Sequence, residues 1–191
     1  YVEKAYEERG GLLHTIKATE WHRAALTVRA LGGNPERFGE VNGEPIDLIR
    51  DGSYECVVSG GPGRQGINGW IFGLISLDAS RAEVPAGASY SREVFIKEIL
   101  SRQLTDGVGG NLYGGWALSG YGESSDIDIT AMALQALAPY YPDGTVYSFR
   151  NTASGEVREV TVRQCVEEAL ALLSSRMDET GGFSSWGSKN V

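Results

Sequence analysis

Two aspartates, Asp126 and Asp128, stand directly before an apolar run that reads "ITAMALQALAPYY" from residue 129 onward. A carboxyl group there can act as a general acid if its surroundings are dry and rich in hydrogen-bond donors. It can also cap the helix that the apolar run predicts, because an acidic group at a helix start favours the helix dipole. Ser125 and Asp128 have the Ser-x-x-Asp spacing that resembles a capping box, and this spacing favours the structural role.

Aromatic and imidazole side chains supply the other candidate functional residues. Trp21 and His22 lie at the start of a predicted helix, and Trp70 begins an apolar segment. Because aromatic side chains dominate binding energetics, we expect these three residues to contact a ligand together with Asp126 and Asp128. A lone histidine is more often packed or on the surface than catalytic, and His22 has no recognisable nucleophile beside it in sequence. The sequence therefore favours binding over catalysis.

Motifs for metals and for common catalytic reactions are missing from the sequence. With two cysteines, two histidines and no Cys-x-x-Cys, we expect no structural zinc site and no other bound metal. The glycine-rich stretch 59–69 lacks the Gly-Lys-Ser/Thr of a phosphate-binding loop. No serine lies in Gly-x-Ser-x-Gly, so a hydrolase signal is absent as well. Whether Cys56 and Cys165 pair is left open by their spacing.

Composition and charge restrict the partners. The chain has 191 residues, enough for one domain with a substantial core, and its formal net charge is -8. The basic residues are scattered, so we expect no nucleic-acid partner. No apolar run approaches the ~20 residues that span a bilayer, so no membrane span is expected. Because the sequence starts at Tyr1, we expect 1–191 to be a segment of a longer chain.

Helical patterns of two kinds alternate along the chain. Residues 91–104 and 161–176 carry one polar face each, whereas 70–79 and 126–140 are apolar on nearly every side, which is typical of buried helices. Thr19 is the predicted cap of a further helix, 20–31. This alternation predicts a mainly α fold with outer helices shielding inner ones.

An exception to the helical pattern occurs late in the chain. Alternating segments on either side of Gly155 predict a small β-hairpin insert at 143–160.

Two stretches are similar to a known repeat. They are "FIKEILSRQLTDGVGGNLYGGWALSG" (95–120) and "LALLSSRMDETGGFSSWG" (170–187), each an amphipathic helix, a polar turn, glycines and a tryptophan, Trp116 or Trp186. They resemble the prenyltransferase and squalene-oxidase repeat, which builds the α/α toroid of terpenoid cyclases, prenyltransferase β subunits and transcobalamin-type carriers. The first stretch keeps the family's glutamine as Gln103, and the second has Arg176. The resemblance implies a partial toroid of about three and a half helix pairs.

The chain also resembles repeat-bearing proteins found on or outside bacterial cells, through stretches such as "QGINGWIFGLISLD" and "DITAMALQALAPYY". This resemblance implies an extracellular or cell-surface location and a non-catalytic module that binds a small-molecule ligand or another protein. A cobalamin-type ligand is compatible with the family, although no residue specifies it. In such repeats, Trp116 and Trp186 would lock neighbouring helix pairs together.

Two alternatives remain. Cyclases that protonate an alkene have Asp-x-Asp-Asp before Thr-Ala, and the resemblance places Asp128 in the position of their proton donor, with Asp126 before it. Ile129 replaces the third aspartate, so the partner expected to tune the donor is missing. The other alternative is a structural spacer whose ring is completed by neighbouring sequence or by another chain.

Overall fold

The computed structural model describes residues 1–105, 113–119, 124–185 and 188–190, with side chains left undescribed from 184 onward. About half of the chain is helical, which confirms the mainly α class. The helices are α1 (Val2–Arg9), α2 (Thr19–Ala30), a π-helical turn (Arg50–Tyr54), α3 (Ile67–Ser80), α4 (Arg92–Leu100), α5 (Ile127–Leu137) and α6 (Val162–Arg176), with single helical turns at Pro35–Arg37, Pro62–Gln65 and Ala138–Tyr140. The chain forms two compact units, Tyr1–Phe95 and Ile96–Val191, each described separately below.

Short antiparallel hairpins make up the β structure of the described residues. The strands are β1 (Gly39–Val41) with β2 (Glu44–Ile46), β3 (Val146–Arg150) with β4 (Val157–Thr161), and β5 (Phe183–Ser185) with β6 (Ser188–Asn190). The β3–β4 pair lies where the alternating pattern predicts a hairpin, with Val146 opposite Thr161 and Arg150 opposite Val157. The β1–β2 pair was not predicted, because its strands are only three residues long. Asn42 and Gly43 connect them with positive φ angles, as a tight two-residue hairpin turn requires.

In the first unit, the apolar segment expected to be buried on all sides forms α3. Along this helix only Ala79 is exposed, so the prediction is confirmed. The end of α3 is held by Arg92, whose guanidinium donates to the carbonyls of Leu77 and Ala82 and pairs with Asp78 at 2.9 Å. These bonds satisfy carbonyl groups that a helix end otherwise leaves without partners.

Helix α2 begins one residue earlier than expected. Thr19 is its first residue rather than its cap, and the capping position belongs to Ala18, which has no side chain to accept a hydrogen bond. The Thr19 hydroxyl instead donates to Gln65 Oε1 at 3.3 Å. The predicted threonine cap is therefore wrong, because a long-range partner competes for the hydroxyl.

In the second unit, α6 starts at Val162, one residue after the predicted start, and Thr161 is its cap. Thr161 accepts a hydrogen bond from the Gln164 backbone, and the Gln164 side chain accepts one from the Thr161 backbone, which is a full capping box. Arg163, Glu167 and Glu168 are exposed, as the amphipathic pattern requires. Helix α4 has its expected apolar stripe buried but ends at Leu100, short of the predicted 104.

A buried glutamine just after α4 connects the parts of this unit. Gln103 is 0% exposed, and its amide nitrogen donates to the carbonyls of Gly114 at 2.7 Å and Cys165 at 2.9 Å. Its amide oxygen accepts from Arg158 at 3.0 Å, and its backbone carbonyl accepts from the Asn151 side chain at 2.7 Å. One residue therefore joins the glycine segment at 114, the first turns of α6 and the β3–β4 hairpin.

Helix α5 is less buried than the sequence predicts. Asp128, Ala131, Gln135 and Ala138 form an exposed stripe along it, while Thr130, Ala133, Ala136 and Leu137 are buried. The expectation that 126–140 is buried on all sides is therefore wrong. Small side chains such as alanine suit either environment, so composition did not distinguish the two faces.

Among the helices that the structure describes, none has both the length and the apolar character needed to cross a membrane.

Replacing Gln103 with leucine tests the connecting role of this residue. The substitution removes the bonds that the amide donates to the carbonyls of Gly114 and Cys165, and it leaves Arg158 with Glu168 as its remaining partner. We expect the free energy of unfolding in urea to fall by about 2–4 kcal/mol. The control is Gln135→Leu, at an exposed position of α5, which we expect to change the same free energy by less than about 0.5 kcal/mol. Equal effects at the two positions would contradict this assignment.

Candidate functional site

Asp126 serves as the cap of α5. Its Oδ1 accepts a hydrogen bond from the Ile129 backbone at 2.9 Å, and its backbone carbonyl accepts from Thr130 at 2.9 Å. The capping position therefore lies one residue after the expected Ser125, and the predicted Ser125–Asp128 capping box is wrong. A carboxylate satisfies the second or third amide of a helix better when it lies at the capping position itself.

Asp128 lies in the first turn of α5 and is exposed to solvent. Ile129, at the position of the family's third aspartate, is buried in the core with 7% exposure. Protonation of an alkene requires an acid in a dry pocket, because water otherwise solvates and stabilises the carboxylate. The exposed position of Asp128 favours a role at the helix start or in recognition over proton donation to an alkene.

Beside the start of α5, a short extended segment, 113–119, is held firmly at its centre. Trp116 is 0% exposed; its indole nitrogen donates to the Ile99 carbonyl at 2.8 Å and its backbone nitrogen donates to the Thr130 hydroxyl at 3.0 Å. Its carbonyl accepts from the Asp126 backbone at 2.8 Å. Trp116 thus joins α4 to α5, whereas Trp186 lies outside the described residues.

The glycines of this segment let it pack against two helices. A Cβ on Gly115 would meet the side chains of Thr130 and Leu172, and one on Gly114 would meet the Glu168 carbonyl. The contact at Gly114 is with backbone and its φ is +89°, so any larger residue would be strained there, whereas at Gly115 the neighbouring side chains would have to move. On either side of the buried centre, Tyr113 and Leu118 are 43% and 50% exposed.

Trp21 belongs to a chain of buried polar groups in the first unit. Its indole nitrogen donates to the Tyr6 hydroxyl at 2.7 Å, and that hydroxyl donates to Asp51 Oδ2 at 2.9 Å. Arg50 completes the chain by pairing with Asp51 Oδ1 at 2.8 Å. Burial, reinforced by the negative charge of Asp51, raises the pKa of Tyr6 far above its usual value. The phenol therefore stays protonated and acts as a hydrogen-bond relay rather than as a base.

His22 lies next to this chain and is 0% exposed. Its Nε2 is 2.7 Å from the Gly52 carbonyl, which can only accept, so Nε2 carries the proton. A side chain on Gly52 would collide with the Trp21 Cβ, so the backbone of the π-helical turn packs directly on α2. Burial lowers the pKa of His22 to about 4, although the Gly52 carbonyl opposes this shift. The imidazole is therefore neutral at physiological pH.

Trp70 lies in a separate aromatic cluster of the same unit. Its ring meets those of Tyr90 and Phe95 edge to face, with centroid distances of 5.6 and 5.3 Å. Gly61 and Gly63 of the preceding loop approach Tyr90 and Trp70 so closely that a Cβ at either position would collide. Trp70 itself is 6% exposed. Edge-to-face packing stabilises a core, and it leaves little of this indole for a ligand.

Both cysteines are free thiols. Burial raises the pKa of Cys56 to about 11 and that of Cys165 to about 12, so neither is a ready nucleophile. Cys165 is fully buried in α6, as its helical pattern indicates. Among the described residues, no group of three or more histidine, cysteine, aspartate or glutamate side chains is placed to hold a metal ion.

The predicted ligand-contacting residues therefore fall into three places. Trp21 and His22 lie together behind the π-helical turn, Trp70 lies in the aromatic cluster, and Asp126 and Asp128 begin α5. Sequence reasoning missed Tyr6 and Asp51, because 45 residues separate these partners in the chain. In the sequence, the Asp-Gly pair at 51 and 52 is compatible with a close approach of this backbone to another element. An Asp-Gly pair is equally typical of an ordinary turn, so it did not identify the contact.

Comparison with known proteins finds no matching family model, no matching curated protein and no matching solved structure.

Replacing Tyr6 with phenylalanine tests the buried chain. The change removes the acceptor of Trp21 and the donor to Asp51, so we expect the free energy of unfolding to fall by about 1–3 kcal/mol. Urea denaturation measures it. The matched control is Tyr141→Phe, whose exposed hydroxyl donates to Glu167 at 3.2 Å; we expect a loss below about 0.5 kcal/mol there. A larger loss for Tyr141→Phe would refute the assignment.

Replacing Asp126 with alanine tests the cap. We expect a loss of about 1 kcal/mol in unfolding free energy, and recovery of most of it in Asp126→Asn, because asparagine caps nearly as well. Thermal unfolding followed by circular dichroism measures both. If Asp126→Asn is as unstable as Asp126→Ala, the carboxylate has a role other than capping.

Proposed function

We propose that this chain is a non-catalytic module that binds a ligand or a protein partner, and that its helices form part of an α/α toroid. An extracellular or cell-surface location, implied by the resemblance to bacterial repeat proteins, belongs to the same proposal. The binding surface would lie at the start of α5, where Tyr113, Leu118 and Asp128 are exposed.

The observation that supports this proposal most is that the backbone of segment 113–119 is fixed while some of its side chains are exposed. Trp116 fixes its centre with three hydrogen bonds, and the glycines pack it on α5 and α6. A fixed backbone reduces the conformational entropy that is lost when side chains contact a ligand. Exposed aromatic and aliphatic groups on such a backbone are typical of recognition surfaces.

The surroundings of the other candidates support binding over catalysis. The carboxylate of Asp126 accepts from the Ile129 backbone, and the imidazole of His22 is buried and neutral. Proton transfer needs a group that reaches the substrate and titrates near the working pH. Among the aspartates of the candidate set, Asp128 is the one exposed to solvent, and an exposed carboxylate suits recognition of a polar or cationic group.

A binding experiment with defined probes tests the proposal. Purified protein is incubated with cobalamin and, separately, with geranylgeranyl diphosphate, and equilibrium dialysis and thermal unfolding are followed. Binding at about 100 times the dissociation constant stabilises the folded state by about 2.7 kcal/mol. We expect at least one probe to bind and to raise the unfolding temperature.

Variants then locate the surface. The double variant Tyr113→Ser with Leu118→Ser should lose the rise in unfolding temperature, since it removes both exposed apolar groups. Val157→Ser, on the outward face of β4, is the control at an equally exposed apolar position and should retain it. If neither probe binds and the protein captures no partner, a role as a structural spacer explains the chain better than a binding role. If binding survives the double variant, the surface lies elsewhere.

A further inference from the structure

We propose that the contact between His22 and Gly52 is an acid-sensitive latch, which holds the turn Arg50–Tyr54 against α2 at neutral pH and releases it when the imidazole gains a proton. The neutral ring already carries a proton on Nε2, which it donates in a hydrogen bond to the Gly52 carbonyl. A second proton must therefore go to Nδ1, which is buried and has no hydrogen-bond partner among the residues that the structure describes.

Protonation at this place creates a buried charge and a donor without an acceptor. Groups of this kind are costly in the interior of a protein, and opening to water relieves the cost. Burial, partly opposed by the hydrogen bond to the Gly52 carbonyl, already lowers the pKa of His22 from 6.5 to about 4. Because the folded-state pKa is the lower one, the contact contributes its full stability above pH 6.5 and loses it as the pH falls towards 4.

The turn is a suitable element to open locally. It is π-helical, with the Glu55 amide bonded to the Arg50 carbonyl, five residues back, and single π-helical turns are rare and frequently occur at functional sites. Because Gly52 packs directly on Trp21, release of the turn would uncover that indole.

The neighbouring ionisable groups do not supply an acceptor for the new proton. On the turn, Asp51 is held by Arg50 and by Tyr6 of α1. On α2, the half-buried Glu20 pairs with the exposed Arg23 at 3.1 Å. On α3, Ser76 faces the turn and shares a hydrogen bond with Ser53 at 3.3 Å.

Asp47, ahead of the turn, acts in the opposite direction. Its pKa is raised by burial, so its protonation favours the folded form. A histidine variant is needed to separate the two effects.

Amide hydrogen exchange at pH 7.5 and pH 5 tests the latch. After correction for the intrinsic exchange rate, we expect the open population of residues 50–54 to rise roughly 30-fold at pH 5, while the amides of α3 change far less. In His22→Gln this rise should disappear. His14→Gln is the control, because His14 lies in a loop where its Nδ1 accepts from the Ile16 backbone, and it should keep the rise.

Several results would overturn the proposal. An unchanged open population at pH 5, an equal loss of protection throughout Tyr1–Phe95, or loss of the rise in His14→Gln each contradicts a local latch at His22. If His22→Gln does not fold, nuclear magnetic resonance of the unmodified protein decides the matter. A His22 ring that titrates well below 6.5, together with exchange broadening in the turn, supports the latch, and titration at 6.5 refutes it.

Discussion

The amide of Gln103 sets the constraint on which the second unit depends. A buried amide must have partners for its two donors and its acceptor, and this one finds them in three different parts of the chain. The glycine segment, the start of α6 and the β3–β4 hairpin therefore cannot move independently without leaving polar groups unsatisfied. This explains how a hairpin is held rigidly in a mainly helical fold, since Asn151 and Arg158 of the hairpin region bond the same glutamine. The position of Trp116, and with it the exposed Tyr113 and Leu118, follows from that arrangement.

The side chains that most suggest catalysis are used by the fold. Asp126 begins a helix, Trp21 donates to a buried phenol, and His22 bonds a backbone carbonyl. In each case, the chemical group satisfies a polar partner that burial would otherwise leave unpaired, and each such bond contributes roughly 1 kcal/mol to stability. A binding role needs none of these groups, because exposed apolar side chains on a fixed backbone are sufficient for recognition. The proposed acid response of His22 has the same origin. Of its two ring nitrogens, Nε2 has a hydrogen-bond partner, and Nδ1 has none among the residues that the structure describes.

Local signals predicted the elements whose determinants lie within a few residues. The amphipathic span of α6, the apolar run of α3 and the alternation of the β3–β4 hairpin are of this kind, and all three are present. The failures involve long-range partners: Thr19 bonds Gln65 instead of capping α2, and the exposed stripe of α5 depends on which faces its neighbours cover. For the same reason, the sequence could suggest Trp21 and His22 as ligand contacts, but it could not show that Trp21 donates to Tyr6 and that His22 donates to the Gly52 carbonyl. Ser125 and Asp126 differ by one position as helix caps, which is within the ambiguity of any capping motif.

We interpret Asp126 as the cap of α5 and propose that the exposed Asp128 belongs to a recognition surface rather than acting as an acid for alkene protonation. Product analysis tests it most directly: purified protein is incubated with squalene, and separately with geranylgeranyl diphosphate, and the extracts are examined by gas chromatography and mass spectrometry. If the module is non-catalytic, as we propose, both substrates are recovered unchanged. A cyclised product that forms with the unmodified protein and disappears in Asp128→Asn, with the fold intact by circular dichroism, would contradict it.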